Sequence, residues 1–250
     1  MTLYDWPRAS AFGRVIPKNK IYEHVGATTA LKDLFVREVD QIVWSHKLAP
    51  ETINLPATKA VAEIQVFRIM QREKDLSFDA LRAIDRAIPF PLLFELTHGG
   101  KVKLAAAYKR PSEADSTKWV LGDYFESEWL PDTTPRTALP VALNMGALYE
   151  QLLSPLVEGQ TAQLAPGATT GFAEATQASF AAPPAVEPLS LEAKIAHLEA
   201  MKAKTREVER IIARLAREKQ FNKRVTINAE LRTAREELRR LSGGMDGEGE

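Results

Sequence analysis

The chain has 250 residues, with 33 Lys and Arg balanced by 33 Asp and Glu and no cysteine. The missing cysteine excludes disulfide scaffolds, Cys-ligated zinc, iron–sulfur clusters and thiol catalysis. The balanced charge argues against a protein that coats nucleic acid through uniform basicity, and at roughly 100–200 residues per domain the length predicts one domain or two small ones.

The first predicted element is a helix over 28–38. Thr28 or Thr29 can cap it, and Leu31, Leu34, Phe35 and Val39 recur at helical spacing. Residues 40–48 read as a strand rather than an extension of that helix, on the weight of Ile42, Val43 and Trp44. A short extended segment is expected over 52–55. Residues 62–71 alternate: Ile64 and Val66 point one way, and Glu63, Gln65, Phe67 and Ile69 the other. Ser77 caps a second helix whose apolar side is Phe78, Leu81, Ile84 and Ile88, and Pro89 ends it. Residues 91–96 and 101–109 flank Gly99-Gly100 and predict a hairpin, because adjacent glycines supply the positive φ of a tight turn. A strand bent near Gly122 follows over 119–130, and the run after Pro140 predicts a closing helix with Met145, Leu148, Leu152 and Leu153 on its apolar face. The order predicts an α+β fold, a mixed β-sheet with packed helices.

Composition divides the chain. Residues 1–157 read as the mixed domain. Residues 158–188, rich in Ala, Thr, Gln, Gly and Pro, read as a flexible linker. Residues 189–242 contain neither Gly nor Pro and predict a long coiled-coil-type helix, and 243–250 an acidic, disordered tail. Leu198, Met201, Thr205, Val208, Ile212 and Leu215 form one heptad seam, and Ile227, Leu231, Ala234, Leu238 and Leu241 another, out of register with the first. The absence of Gly and Pro favours one continuous helix of roughly 80 Å at 1.5 Å per residue. A hairpin folding back around 218–224 is the alternative. An unpaired seam of this length requires a partner to stay helical in water. The candidate contacts are Leu198, Met201, Val208, Ile212, Leu215, Phe221, Ile227, Leu231 and Leu238. The partner is a second copy or a different protein, with Phe221 as anchor of the polar stretch at the register break. Charge is uneven as well: residues 190–242 hold 14 basic against 8 acidic side chains.

Chemistry-bearing motifs are scarce. The four histidines show no metal-ligand spacing, and no phosphate-binding glycine loop or nucleophile elbow occurs. The order of helix, strand, strand, helix and strand over 28–96 can be drawn as a restriction-endonuclease-like core. Its candidate site is Glu63 and Gln65, on one face of a strand, with Glu51 as the nearest earlier acid. Magnesium would be needed only on that reading, with Gln65 standing where a lysine is expected; no other cofactor is expected. Lys101, Lys103, Lys109 and Arg110 form a candidate phosphate-contacting stripe, against the alternative of a solvated sheet face. Trp44, Trp119, Trp129, Tyr124 and Phe125 are read as core residues before base-stacking ones. No apolar run approaches the ~18 residues of a membrane span, so a cytoplasmic protein without a membrane partner is expected.

The runs IPKNKIYEH (16–24), WSHKLAPETINLPAT (44–58), EIQVFRI (63–69), AIDRAIPFPLLFEL (83–96), AAAYKR (105–110), KWV with YFESEWL (118–130) and EKQFNKRVTINAELR (218–232) resemble the bacterial domain-of-unknown-function family 4391. Members are typically encoded beside helicases and DNA methyltransferases of restriction-modification or phage-defence type. The resemblance implies an accessory, non-enzymatic subunit that assembles with such a helicase or methyltransferase through its C-terminal helix. It implies no catalytic residues. The alternatives are a degenerate restriction-endonuclease-like nuclease and a DNA-binding module.

Overall fold

A computed structural model describes residues 3–115, 118–165 and 189–243. The chain forms two compact units, residues 1–156 and 157–250.

The first unit is built on a seven-stranded sheet. In chain order its elements are β1 (Leu3–Asp5), β2 (Ala11–Val15), α1 (Lys18–Val25), α2 (Thr29–Glu38), β3 (Val39–Leu48), the single turn α3 (Pro50–Ile53), β4 (Ile64–Gln71), α4 (Phe78–Ala87), β5 (Leu92–His98), β6 (Lys101–Pro111), β7 (Trp119–Glu126), β8 (Leu130–Pro131), β9 (Arg136–Ala138) and the start of α5 (Met145–Leu164), whose residues from Val157 on belong to the second unit. The strand order is β2-β3-β4-β5-β6-β7, with β8 on the start of β6, and β1 and β9 form a separate parallel pair. Within the large sheet β4 and β5 are parallel and every other pair is antiparallel. A parallel pair needs a crossover, and α4 supplies it.

Local sequence explains most of these elements. Thr28 Oγ1 accepts from the Leu31 N–H and opens α2, and Ser77 does the same for α4 through the Asp79 N–H. These caps each satisfy a donor that the first helical turn leaves orphaned. Gly99 and Gly100 both have positive φ at the β5–β6 turn. Phe67 and Ile69 of β4 pair across to Phe94 and Leu96 of β5, and with Phe35, Ile42, Leu81 and Ile84 they form the main core. Ile64 and Val66 are buried on the other face, so β4 is covered on both sides.

Some expectations need correction. Residues 52–53 close the helical turn α3 rather than extend. The Thr52 hydroxyl accepts from the Ala49 N–H at 2.9 Å and donates to the Lys47 carbonyl at 2.7 Å, which winds the chain. The strand expected over 119–130 is two, β7 and β8. At Gly122 the bend has a cause: β6 shifts register between Ala107 and Lys109, and a Cβ at Gly122 would stand 3.3 Å from the Tyr108 carbonyl oxygen. The closing helix begins at Met145, where Asn144 Oδ1 accepts from the Ala147 N–H, and runs through Pro155 to Leu164. Residues 158–164 are therefore helix and not linker. The rest of the expected linker, 166–188, and the tail 244–250 lie outside the described residues.

The second unit contains an antiparallel hairpin of two helices, α6 (Leu191–Arg217) and α7 (Phe221–Gly243). The preferred expectation of one continuous helix is thus replaced by the fold-back. Val208, Leu231, Ala234 and Leu238 pack together, with Ile211 and Leu215 against them. The two registers that no single seam could join are the facing sides of two helices. The turn needs neither Gly nor Pro. Glu218 adopts ordinary extended backbone, and its carboxylate accepts from the Gln220 N–H at 2.8 Å.

Candidate functional site

Three weak sequence candidates meet around a residue that sequence reasoning did not single out. Lys47 on β3 pairs in register with Gln65 on β4. Its ammonium lies 2.8 Å from Glu51 and 3.3 Å from Glu63. The Gln65 amide donates to Glu63. Hydrogen bonds donated to Glu51 and then to Glu63 raise the Lys47 pKa, and Lys47 in turn lowers that of Glu51. Gln65 also lines a cleft of about 240 Å³ with Ile16, Trp44, Phe67, Ile88 and Phe90. The lysine charge absent at position 65 is thus supplied from the neighbouring strand. Only strand pairing could reveal this, since Lys47 and Gln65 are far apart in sequence. Among the described residues no group of three or more His, Cys, Asp or Glu is placed to hold a metal. Glu51 and Glu63 are already engaged by an ammonium, so a divalent ion would have to displace it.

The proposed stripe on the second hairpin strand does not exist as a surface. Lys101 is exposed, and Arg110 pairs with Glu113 at 3.1 Å. Lys103 is buried, 2.7 Å from Glu126, with its ammonium over the Trp129 ring. Lys109 is only 3% exposed. Its ammonium donates to the carbonyls of Asp85 and Ile88, both at 2.5 Å, and lies 3.5 Å from the Asp85 carboxylate. The reason is the helix: α4 ends here, and a cation at a helix C-terminus meets both the last carbonyls, which keep spare acceptor capacity, and the dipole. Lys18 does the same at the end of α2, donating to the Phe35 and Val39 carbonyls.

Asp85 completes this buried cluster. Tyr124 donates to its carboxylate, and Tyr149 donates to the Ala107 carbonyl while accepting from the Lys109 N–H. Burial pushes the Asp85 carboxyl up to about 6, against the pull of Lys109 and the Tyr124 hydrogen bond. Burial lowers the Lys109 ammonium and raises the Tyr124 and Tyr149 phenols. A signal was present in the sequence, because Asp85 sits beside Ile84 among the apolar positions of α4. Glu95 carries the same signal, a carboxylate inside the apolar run 92–96. It is fully buried and accepts from Trp6 Nε1 at 2.8 Å, Arg136 at 2.6 Å and Arg68 at 2.9 Å. Burial opposes its charge, yet these donors together hold its pKa below the usual carboxylate range. The aromatic residues are structural: Tyr124 and Phe125 are buried, and Trp44 lies between Phe12 and Phe67.

On the arm, most of the expected partner seam is consumed within the chain itself. Leu198, Met201, Val208, Ile227, Leu231 and Leu238 are buried, and Leu215 is half-buried. Lys204 bridges to Glu237 at 2.5 Å and Arg214 pairs with Glu230, which ties the two helices along their edges. Lys194 reaches Glu158 at 2.7 Å. Ile212 is 41% exposed, Val225 54% and Phe221 78%. Of the nine sequence-predicted contacts, Ile212 and Phe221 therefore remain offered to solvent.

A model of the family described as Domain of unknown function (DUF4391) matches residues 4–238. No curated protein and no solved structure matches the chain. The matched span takes in the sheet unit and nearly all of the hairpin, and the chain belongs to this family.

Proposed function

We propose that this DUF4391 protein is an accessory subunit of a bacterial DNA restriction or phage-defence system, assembling with a helicase or DNA methyltransferase through its C-terminal arm. The observation that carries the reading is the surplus apolar surface of the hairpin. The arm needs no second chain to bury its seam, yet it leaves Ile212 on α6 and Val225 on α7 exposed. Large apolar side chains held outside an otherwise charged, self-sufficient hairpin are suited to a partner contact. Co-expression with the neighbouring helicase and methyltransferase tests this. Full-length protein should co-purify with one of them, and Ile212→Asp with Val225→Asp should abolish the capture. Undiminished capture by the double variant would overturn the reading.

One observation favours a second reading, a metal-dependent nuclease. The end of β3, the turn α3 and the start of β4 bring Lys47, Glu51, Glu63 and Gln65 to one place, and paired carboxylates beside a lysine are the residue chemistry such hydrolysis uses. Magnesium-dependent cleavage of DNA, lost in both Glu63→Ala and Lys47→Ala, is its expected outcome. The absence of cleavage by purified protein would remove it.

A further inference from the structure

The tip of the hairpin differs from the rest of the arm. Residues 221–226 are all exposed, the first contact of α7 with the seam being Ile227. Around Phe221 stand Arg217, Lys219, Lys223 and Arg224, against the one acid Glu218. None of these four cations makes an ion pair among the described residues, whereas Lys204 and Arg214 lower on the arm do. The Glu218 carboxylate accepts from the Gln220 N–H, and Lys223 stands near enough to help lower its pKa without forming an ion pair.

Part of this charge placement works against the fold. α6 follows dipole logic, with Glu192 in its first turn and Arg214 and Arg217 in its last. α7 departs from it at its start, with no acid in its first turn and Lys223 and Arg224 there instead, while Arg240 in its last turn conforms. Nothing in the packing requires them, because the seam begins beyond them. Phe221 likewise contributes nothing to the seam. Lys223 and Arg224 at the start of α7 and a bare aromatic ring are thus kept together where stability favours neither.

We infer that the hairpin tip binds single-stranded nucleic acid, with Arg217, Lys219, Lys223 and Arg224 on phosphates and Phe221 stacked on an unpaired base. Charge complementarity selects this occupant. A protein hot spot relies on an apolar surround that excludes water, and here the ring is flanked in sequence by cations, Gln220 and Asn222, with exposed Val225 one turn further on. Stacking on a base needs only one accessible face beside a positive track, which is what the tip offers. A duplex keeps its bases stacked and would meet the cations alone.

The experiment uses the purified full-length protein and a fluorescent single-stranded DNA of about 20 nucleotides, read by anisotropy across a salt series. Four phosphate contacts on a single strand predict a log–log salt slope near −2.8, at ~0.7 per contact. Lys219→Gln with Lys223→Gln should lessen that slope by about 1.4. Phe221→Ala should weaken binding roughly 5- to 150-fold with the slope unchanged, and Phe221→Trp should restore it. All these positions are exposed, and unchanged helicity by circular dichroism establishes that the arm remains folded. A duplex of the same sequence should show no dependence on Phe221. No binding at low salt would overturn the inference. So would binding indifferent to the tip variants, or tip variants that lose a protein partner while keeping DNA. No helicase or methyltransferase is needed for this contact, so its failure and that of the assembly role are distinguishable.

Discussion

The sheet unit and the hairpin handle charge in opposite ways. In the sheet unit, Lys109, Asp85 and Glu95 are buried and fully engaged with carbonyls, phenols and guanidinium groups. In the hairpin, ion pairs such as Lys204–Glu237 sit at the surface, and the tip cations make no ion pair among the described residues. A buried charge is committed to the fold, because removing its partner strands it in a poor solvent. An exposed cation costs little to keep and stays available to a ligand. The balanced composition concealed this division of labour.

The contrast can be broken most sharply at Asp85. Asp85→Ala leaves Lys109 buried without its carboxylate and should destabilise the sheet unit by about 3–5 kcal/mol, seen as a lower denaturant midpoint. A wild-type midpoint would show that carbonyl capping alone satisfies the lysine.

The next effect is on pH. The folded-state pKa of Asp85, about 6, stands above its unfolded value of 3.8. The folded protein therefore binds this proton more tightly. The associated stability is complete below pH 3.8 and is lost as pH rises through 6, by up to about 3 kcal/mol at 1.36 per unit. Asp85→Asn should flatten that part of the stability–pH curve, and an unchanged curve would assign the pH dependence to other groups.

A smaller loss is expected in the hairpin. Leu231→Ala removes a seam side chain and should cost about 2 kcal/mol, lowering helicity on heating while the sheet transition stays in place. A joint shift of both transitions would show that the two units unfold as one. The smallest effect belongs to Lys204→Gln, which removes the surface ion pairs to Glu207 and Glu237 and should leave the melting temperature within error at physiological salt.

Legibility followed the range of the forces involved. The Thr28 and Ser77 caps, the Gly99-Gly100 turn and the strand β4 follow from residues within a few positions of one another, and all three appear where expected. The short edge elements β1, β2 and β9 were missed because few of their residues show a period. α1 was missed because only Ile21 in it is buried. The meeting of Glu51, Glu63 and Gln65 was half legible: alternation placed Glu63 and Gln65 together, but Lys47 joins them only through the β3–β4 register. The basic stripe failed for a related reason. The bulge at Tyr108 and the end of α4 take Lys109 inside, and neither can be read from the spacing of lysines.

By itself the sequence determined the helices and strands with strong local signals, the α+β class and the basic character of the C-terminal arm. The tertiary structure decided which lysines are buried, which carboxylates converge and whether 189–242 runs straight or turns back. Those outcomes depend on contacts between distant residues, where a seam finds its own second half before any partner, and no local propensity encodes that choice.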